Sequence, residues 1–415
     1  MLGTTLSQLN CPRRKRNQKC EGALVLNSVK KQKSSAEAVA FEITSGELKC
    51  SVCGAKYPIL GGVAVVVANV RDYLLNHVKG VAQVVSDSEI PPEYRREFLE
   101  AKAEIQTEHI EEDLEASRVN ALYLMNHYLR VSDLTPSGGK PWWKSEEGSS
   151  SALMDRLIRE YWDHGPFAQI GKWLAELDLK SVGAPSSFSV PAGSSRPGSS
   201  PPGSKGPTRD VLELGCGVGG LYLVLKPYAR SYLGVDSSFA SIALARHLIL
   251  GVPGPQGTLR IPGDLLAGSL SRSIRLEQGR EMKNTDSGVD FIVGDLSNLP
   301  LRDGKADLVL ALNAIDMLDQ PAQLPVIKYR LLKNDGITVQ SSPYIWHEAV
   351  ASKLRKQIPK QIKDSAQAVE WLYQQAGFKI EEMCEHLPWL FFKNIRQMEI
   401  YSVHLFLARK LKIEN

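Results

Sequence analysis

Residues Arg209 to Asp236 constrain the chain more than any other stretch. They read Arg-Asp-Val-Leu-Glu-Leu-Gly-Cys-Gly-Val-Gly-Gly, a helical stretch, then Ser-Tyr-Leu-Gly-Val-Asp. Val211, Leu212 and Leu214 predict a short buried strand, and Gly215, Gly217 and Gly219 follow at once. Leu221, Leu223, Val224 and Leu225 open a helix, and Ser231 to Val235 form a second strand that ends on Asp236. Strand, glycine turn, helix, strand, acid is the plan of a nucleotide-binding βαβ unit. Glycine lets the backbone turn sharply and lets a ligand approach the main chain. An acid at the tip of the second strand can accept both hydroxyls of a ribose.

The spacing selects among nucleosides. A dinucleotide fingerprint is G-x-G-x-x-G, with the pyrophosphate on a helix N-terminus. Here the pattern is G-x-G-x-G, and Glu213 stands two residues before the first glycine. A carboxylate there repels a pyrophosphate and suits a cationic, phosphate-free ligand. Leu-Glu-Leu-Gly-Cys-Gly-Val-Gly resembles motif I of the class I S-adenosylmethionine (SAM) methyltransferases. In that family the glycine loop passes under the amino-acid end of SAM, and the acid after the second strand holds the ribose. The resemblance implies Glu213, Gly215, Gly217 and Gly219 for the loop and Asp236 for the ribose. The competing reading is an ordinary tight βα turn.

The alternation continues downstream. A helix is expected from Ser238 to Leu250, a third strand from Val289, and a fourth from Ala306 to Leu312. Asp295-Leu296-Ser-Asn-Leu-Pro-Leu resembles the family segment that contacts adenine. That implies the Asp295 carboxylate for the exocyclic amine and the Leu296 N–H for a ring nitrogen. Asn313-Ala-Ile-Asp316 falls at the carboxyl end of strand four, where open α/β sheets place ligands, so Asn313 is expected beside the transferring methyl. A helix ending near Lys333 and an Asn334-Asp-Gly336 turn lead into strand five. Phe378 opens strand six, and Tyr401 to Ala408 supply strand seven in an antiparallel edge hairpin. Residues 251–288 interrupt this order with a loop longer than most αβ connections.

The fold class expected is therefore α/β: a seven-stranded, doubly wound, Rossmann-like methyltransferase sheet over 209–415, preceded by a small β-rich zinc ribbon and a helical connector.

The acceptor side is less defined. Ser341-Ser-Pro-Tyr344 invites comparison with the Asn-Pro-Pro-Tyr box of amine methyltransferases, but it follows strand five and not strand four. Tyr344 and Trp346 are expected to wall the pocket. Asn313-Ala-Ile-Asp-Met-Leu, Ser-Ser-Pro-Tyr-Ile-Trp and Leu387-Pro-Trp-Leu-Phe-Phe-Lys-Asn-Ile-Arg396 together resemble methyltransferases acting on thiol-histidine-type small molecules, which implies a small nitrogen nucleophile. Asp316 and His347 are candidate bases by position, and no catalytic residue is assigned. His404 alternates within a strand and reads as a packed histidine; Cys216 and Cys384 read as small, partly buried residues.

Residues 1–70 carry four of the six cysteines. Cys50-Ser-Val-Cys53 followed by Gly54 is a zinc knuckle, and Cys11 with Cys20 forms the other half-site across a longer loop. Four thiolates select Zn²⁺ in a closed, structural site. The other reading is a ribbon that has lost its metal. The knuckle, Tyr57-Pro58-Ile59 and Gly62-Val63 resemble the Trm112-like zinc-ribbon family, whose members are methyltransferase activators or are fused in front of the enzyme. That implies a stabilising or docking role. Arg13, Arg14, Lys15, Arg16 and Lys19 crowd the first loop, and Lys30, Lys31 and Lys33 follow. Aromatic residues do not interleave with them, so a solvated loop is favoured over an RNA-binding patch.

Residues 71–180 form the helical connector. Phe98, Ala101, Ile105, Ile110, Leu114, Ala121, Met125 and Tyr128 recur at helical spacing, and His109 and His127 within this pattern read as packing residues. Residues 151–179 predict a helix ahead of the first strand, whose Tyr161 and Trp162 could lid the SAM pocket. Ser, Pro and Gly dominate 181–208, a flexible linker by composition.

A chain of 415 residues with 43% hydrophobic content and 23% charge describes a soluble globular protein of two or three domains. A net charge of +4 is too small to argue for nucleic acid. No signal peptide is evident, and the apolar run around Gly62 to Ala68 is far too short for a bilayer, so no membrane is expected. The cysteine usage fits a reducing, cytoplasmic compartment. Three functions remain open at this point. The first is a SAM-dependent methyltransferase acting on a small molecule. The second is the same enzyme acting on RNA or on a ribosomal or translation-factor protein. The third is a non-catalytic SAM-fold scaffold. The oligomeric state is unassigned.

Overall fold

The computed structural model describes residues 1–15, 18–20, 22–33, 42–108, 122–124, 126–128, 149–181, 208–252, 259–261, 272–274, 288–394 and 397–412. A two-stranded hairpin, β1 (Arg14–Lys15) with β2 (Gln18–Lys19), precedes an antiparallel sheet. That sheet is β3 (Leu24–Lys33), β4 (Glu42–Cys50), β5 (Lys56–Leu60) and β6 (Val63–Ala64), in that order. Gly61 and Gly62 have φ of 54° and 84° and close β5 onto β6. Two consecutive left-handed residues match the twist of a tight hairpin, and glycine supplies them without strain.

Three helices follow: α1 (Val70–Asn76), α2 (Val78–Ala82) and α3 (Pro92–Glu108). The Asn69 side chain caps α1 by accepting from Asp72 N. Helices α4 (Ser149–Tyr161) and α5 (Pro166–Ser181) come next. Proline opens both α3 and α5, where its missing N–H has no intrahelical partner to lose. The expected positions Ile110, Leu114, Ala121, Met125 and His109 lie outside the described residues, as does the linker between Ser181 and Thr208.

The second sheet has seven strands. In chain order they are β7 (Arg209–Leu214), β8 (Ala229–Asp236), β11 (Val289–Val293), β12 (Ala306–Leu312), β13 (Leu332–Ser342), β14 (Phe378–Asn394) and β15 (Gln397–Lys410). Between β8 and β11 stands a small hairpin of β9 (Leu259–Ile261) and β10 (Arg272–Ile274), within the expected loop. The spatial order is β11-β8-β7-β12-β13-β15-β14. The first five strands are parallel, and β15 runs antiparallel to both its neighbours. This is the expected seven-stranded, doubly wound, Rossmann-like sheet. Strands β11 and β12 are nearly continuous apolar runs, as parallel strands covered on both faces require. Strand order reverses at β7, so the crevice falls between the carboxyl ends of β7 and β12.

Helix α6 (Tyr222–Leu225) is a single turn and not the full helix expected after the glycine loop. Pro227 stops it, because proline cannot donate and disfavours helix in the residue before it. Helix α7 (Phe239–Leu250) is capped by Ser238, whose Oγ accepts from Ser241 N, and ends at Gly251 with φ 64°. It packs on β8 and β11. Helices α8 (Gln323–Leu331), α9 (Glu348–Arg355) and α10 (Ser365–Gln375) complete the order. The β14–β15 hairpin is longer than expected: β14 continues through Leu387-Pro-Trp389, with a bulge at His386, φ 56°. Pro388 is tolerated because β14 is the sheet's edge.

The small sheet adjoins the large one at β11. Val65 pairs with Val293 in parallel, and Val66 N donates to Val293 O at 3.0 Å. Leu9 bridges Leu301, and Asn10 N donates to Pro300 O at 2.8 Å. One hydrophobic core runs through both sheets. No helix among the described residues is long and apolar enough to cross a membrane.

Candidate active site

A cavity of about 1070 Å³ opens at the carboxyl edge, over the ends of β7, β8 and β12. Glu213, Gly215, Gly217, Asp236, Asp295, Leu296 and Asn313 all line it. Gly215 and Gly217 have φ of 74° and 51°. A Cβ built on Gly217 would meet nothing within 4 Å, so the main chain there lies open to a ligand. Gly219 departs from its expected place: it does not line the cavity. Its Cβ would come within 2.8 Å of Phe291, 2.9 Å of Ile249 and 3.0 Å of Ala245. Its lack of a side chain lets the loop pack against β11 and α7.

The acids are held individually. Asp236 accepts from Gly217 N at 2.9 Å and from Ser238 N at 2.8 Å, which ties the tip of β8 to the glycine loop. Burial raises its pKa, and these backbone hydrogen bonds oppose the rise. Glu213 is 4% exposed. Burial pushes its pKa up to about 8, the hydrogen bond from the Tyr232 hydroxyl opposes this, and Asp236 adds to it. Asp295 Oδ1 accepts from Ser297 N at 2.8 Å and caps the turn Leu296–Asn298. Asn313 sits at φ 51°, a left-handed position that asparagine tolerates better than most residues. Its Oδ1 accepts from Ser341 Oγ at 2.9 Å.

The rest of the cavity wall differs from expectation. Asp316 lines the cavity; its Oδ2 accepts from Ile345 N at 2.9 Å, while Oδ1 is buried without a partner among the described residues. His347 does not line it and instead precedes α9 as its N-cap residue. Tyr344 and Trp346 do not line it either; Pro343 and Ile345 do. With φ at 58°, Tyr344 stacks on Trp346 at 5.7 Å and places its hydroxyl 2.7 Å from His404 Nδ1. His404 is packed, as expected, at 2% exposure. Tyr161 and Trp162 are not the lid: Trp162 packs on Phe392, ring centres 5.1 Å apart. Tyr123, His127 and Phe167 form one wall instead, and Trp389, Phe391 and Tyr401 of the β14–β15 hairpin the other. Trp389 and Phe391 alternate with Leu390, and that period of two was the available signal. Tyr123 and His127 gave none beyond ordinary helical spacing.

The small sheet carries a second cluster. The Sγ atoms of Cys11, Cys20, Cys50 and Cys53 all lie within 4.8 Å of one another. Cys11 is 3.6 Å from Cys53, and Cys20 is 3.7 Å from Cys50. A tetrahedral zinc site with Zn–S of about 2.3 Å puts its sulfurs about 3.8 Å apart, so the donor set fits. Burial pushes the Cys50 thiol up, but the N–H groups of Cys53 and Val52, each 3.4 Å from Sγ, outweigh it and hold the pKa at about 7. In the basic loop, Arg14 Nη2 donates to Ser297 O at 3.4 Å. Arg14 and Lys19 line a cleft of about 400 Å³ against Leu296 to Leu299 and Arg330. Arg16 and the Lys15 side chain lie outside the described residues.

Residues 264–339 match the family model described as a methyltransferase domain. No curated protein matches the chain. Among solved structures, magnesium protoporphyrin IX methyltransferase from Synechocystis, with bound SAH, is 14% identical and matches 65% of this chain and 91% of its own, with a TM-score of 0.34. A chain of the Haloferax volcanii complex that contains the Trm112 methyltransferase activator is 17% identical over 51% of this chain and 87% of its own, TM-score 0.33. An S-adenosylmethionine-dependent methyltransferase from Mesorhizobium loti is 17% identical over 49% and 92%, TM-score 0.30.

Proposed function

We propose that the chain is a SAM-dependent methyltransferase acting on a nitrogen nucleophile of a small molecule, with a fused structural zinc ribbon. The observation that carries this reading is the junction of Gly217 and Asp236. An open glycine main chain donates to the acid at the tip of the second parallel strand, beside a large cavity. Asp236 would hold the ribose hydroxyls, Asp295 and Leu296 the adenine, and the Glu213–Gly217 turn the cationic amino-acid end. Asn313 stands beside the transferring methyl. When bound, SAM supplies a methyl group already activated by its sulfonium.

The chain's own residues then align the acceptor and exclude water. Asp316 lines the cavity and its Oδ1 has no hydrogen-bond partner among the described residues; a small turn of this side chain would let it accept the N–H of the nucleophile and aim the nitrogen lone pair at the methyl. Trp389, Phe391 and Tyr401 supply flat apolar surfaces for a small planar acceptor. Titration of the protein with SAM in a calorimeter, followed by labelled-methyl transfer to a fractionated cell extract, tests the reading. Absence of binding heat favours the scaffold.

The Arg14–Lys19 cleft beside the Leu296–Asn298 turn favours a second reading, in which RNA or a ribosomal or translation-factor protein is the acceptor. Reversing Arg13 and Arg14 to Glu should then abolish nucleic-acid retention, and unchanged retention dismisses RNA. The four thiols would hold Zn²⁺ and fix the loop that carries Arg14; in this role the metal stabilises and takes no part in the chemistry. Metal analysis of the purified protein before and after chelation, with the melting temperature as readout, tests that assignment.

A further inference from the structure

We infer that Lys393 binds an anionic group of the methyl acceptor, a carboxylate or its equivalent. The acceptor is then a flat molecule with its nitrogen nucleophile at one end and a negative charge at the other. This rests on the methyltransferase reading above and names the acceptor class within it.

Strand β14 presents Trp389, Phe391 and Lys393 to the cavity, while Leu390 and Phe392 between them are buried and do not line it. Successive side chains of a strand alternate between faces, so the three form one stripe toward the hairpin's tip: two rings, then a cation. Tyr401 pairs with Trp389 across the hairpin, ring centres 5.7 Å apart, and widens the stripe. Tyr123 meets Phe391 at 5.5 Å and continues it onto the connector. A flat body seated on these rings meets Lys393 at the stripe's far end.

The ammonium stands at the cavity's surface and is held there weakly. Lys393 Nζ lies 5.4 Å from the centre of the Phe391 ring and 3.4 Å from Glu399 Oε2. The two charged side chains are 37% and 34% exposed. Ion pairs and ring contacts of such exposed cations contribute little. Glu399 does not line the cavity, and it keeps a partner when the lysine turns away, because the Tyr401 hydroxyl donates to Oε2. Lys393 can therefore exchange a solvent-screened carboxylate for one lying on aromatic surface, where the attraction is screened less.

The other charges set the acceptor's polarity. Among the described residues, the cavity is lined by five carboxylates, two lysines and no arginine. Glu213, Asp236 and Asp295 belong to the cofactor on the reading above. Asp316 and Asp319 follow β12; they suit the nitrogen end of an acceptor and repel its anionic end. Lys79 is on α2, which packs on the first turn of α7 at the ribose side, where a Cβ on Gly80 would meet Ala240 at 3.2 Å. Lys393 is the lysine that shares a face with the rings.

Three planar probes test the charge preference: naphthalene-2-carboxylate, its neutral carboxamide, and 2-naphthylmethylamine. Each is titrated by ligand-observed NMR into the full chain saturated with S-adenosylhomocysteine. The proteins are the wild type, Lys393→Met, Lys393→Glu and Lys79→Met, with melting temperature and S-adenosylhomocysteine affinity as controls for folding. The wild type should bind the carboxylate about tenfold or more tighter than the carboxamide, the difference typical of a hydrogen bond between charged groups. Lys393→Met should erase that preference, Lys393→Glu should turn it toward the amine, and Lys79→Met should keep it. Equal binding of carboxylate and carboxamide by the wild type overturns the inference. So does a preference that survives Lys393→Met, a preference lost in Lys79→Met alone, or binding of none of the three probes. A wild-type chain that fails to bind S-adenosylhomocysteine overturns the methyltransferase reading itself, which separates that failure from this one.

Discussion

Arg246 of α7 and Asp290 of β11 form an ion pair in the interior, at 1% and 2% side-chain exposure. Glu42 of the small sheet completes it, 2.6 Å from Arg246 Nη2. Asp290 also accepts from Thr5 Oγ at 2.6 Å and from Leu2 N at 2.8 Å. The two sheets therefore share a buried charged centre as well as the backbone bridges along β11. Removing Arg246 strands two carboxylates in low dielectric. Arg246→Met should cost about 3–5 kcal/mol of stability, read by chemical denaturation. A loss under about 1 kcal/mol, the range of a surface pair, would show that the centre is not buried in solution.

The glycine loop yields a paired prediction. Gly217 has open space and Gly219 does not. Gly219→Ala combines a left-handed backbone, about 1–2 kcal/mol, with overpacking against Phe291, about 1–3 kcal/mol. It should lower the melting temperature clearly. Gly217→Val should cost mainly the backbone strain while abolishing cofactor binding, because its side chain projects into ligand space. The opposite order of stabilities would contradict the packing described.

Glu213 gives a pH dependence. Its folded pKa of about 8 lies above the ordinary 4.5, so the folded, ligand-free protein holds the proton more tightly than the unfolded chain. That contribution to stability is fully present below pH 4.5 and is lost as pH rises through about 8. Relative to Glu213→Gln, the wild type should lose stability over that window in denaturation at successive pH values. Cofactor affinity should move the other way. A cation prefers the ionised acid, so binding tightens up to about pH 8 in the wild type and stays flat in Glu213→Gln.

Asp316 separates binding from transfer. Asp316→Asn keeps the shape and, with its amide oxygen at the Oδ2 position, the hydrogen bond from Ile345 N, while an NH2 group replaces the unpartnered Oδ1 acceptor. Cofactor affinity should stay level, and methyl transfer should fall about 10²–10⁴-fold if the group draws off a proton. Transfer at the wild-type rate would remove Asp316 from the acceptor site.

The sheet was legible in the sequence wherever burial on both faces leaves a short apolar run ending at a turn residue. Strands β7, β8, β11 and β12 were read within a residue or two at most ends, and seven of the eight residues expected to hold a cofactor line one cavity. Gly219 shows the limit: a glycine needed for close packing and one needed for ligand approach look alike in a pattern. Tyr161 and Trp162 were expected over the cavity because aromatic residues at helical spacing occur in both the 122–128 and the 149–162 segments, and only tertiary packing decides which segment reaches it. Tyr344 escaped for a different reason. Its left-handed backbone turns the ring toward His404, which no spacing rule announces.

The most direct measurement of the central claim is a calorimetric titration of S-adenosylhomocysteine into the wild-type chain and into Asp236→Ala. The account predicts saturable one-to-one binding by the wild type and its loss in the variant at unchanged fold. Equal affinity in both proteins, or no heat with the wild type, would contradict it.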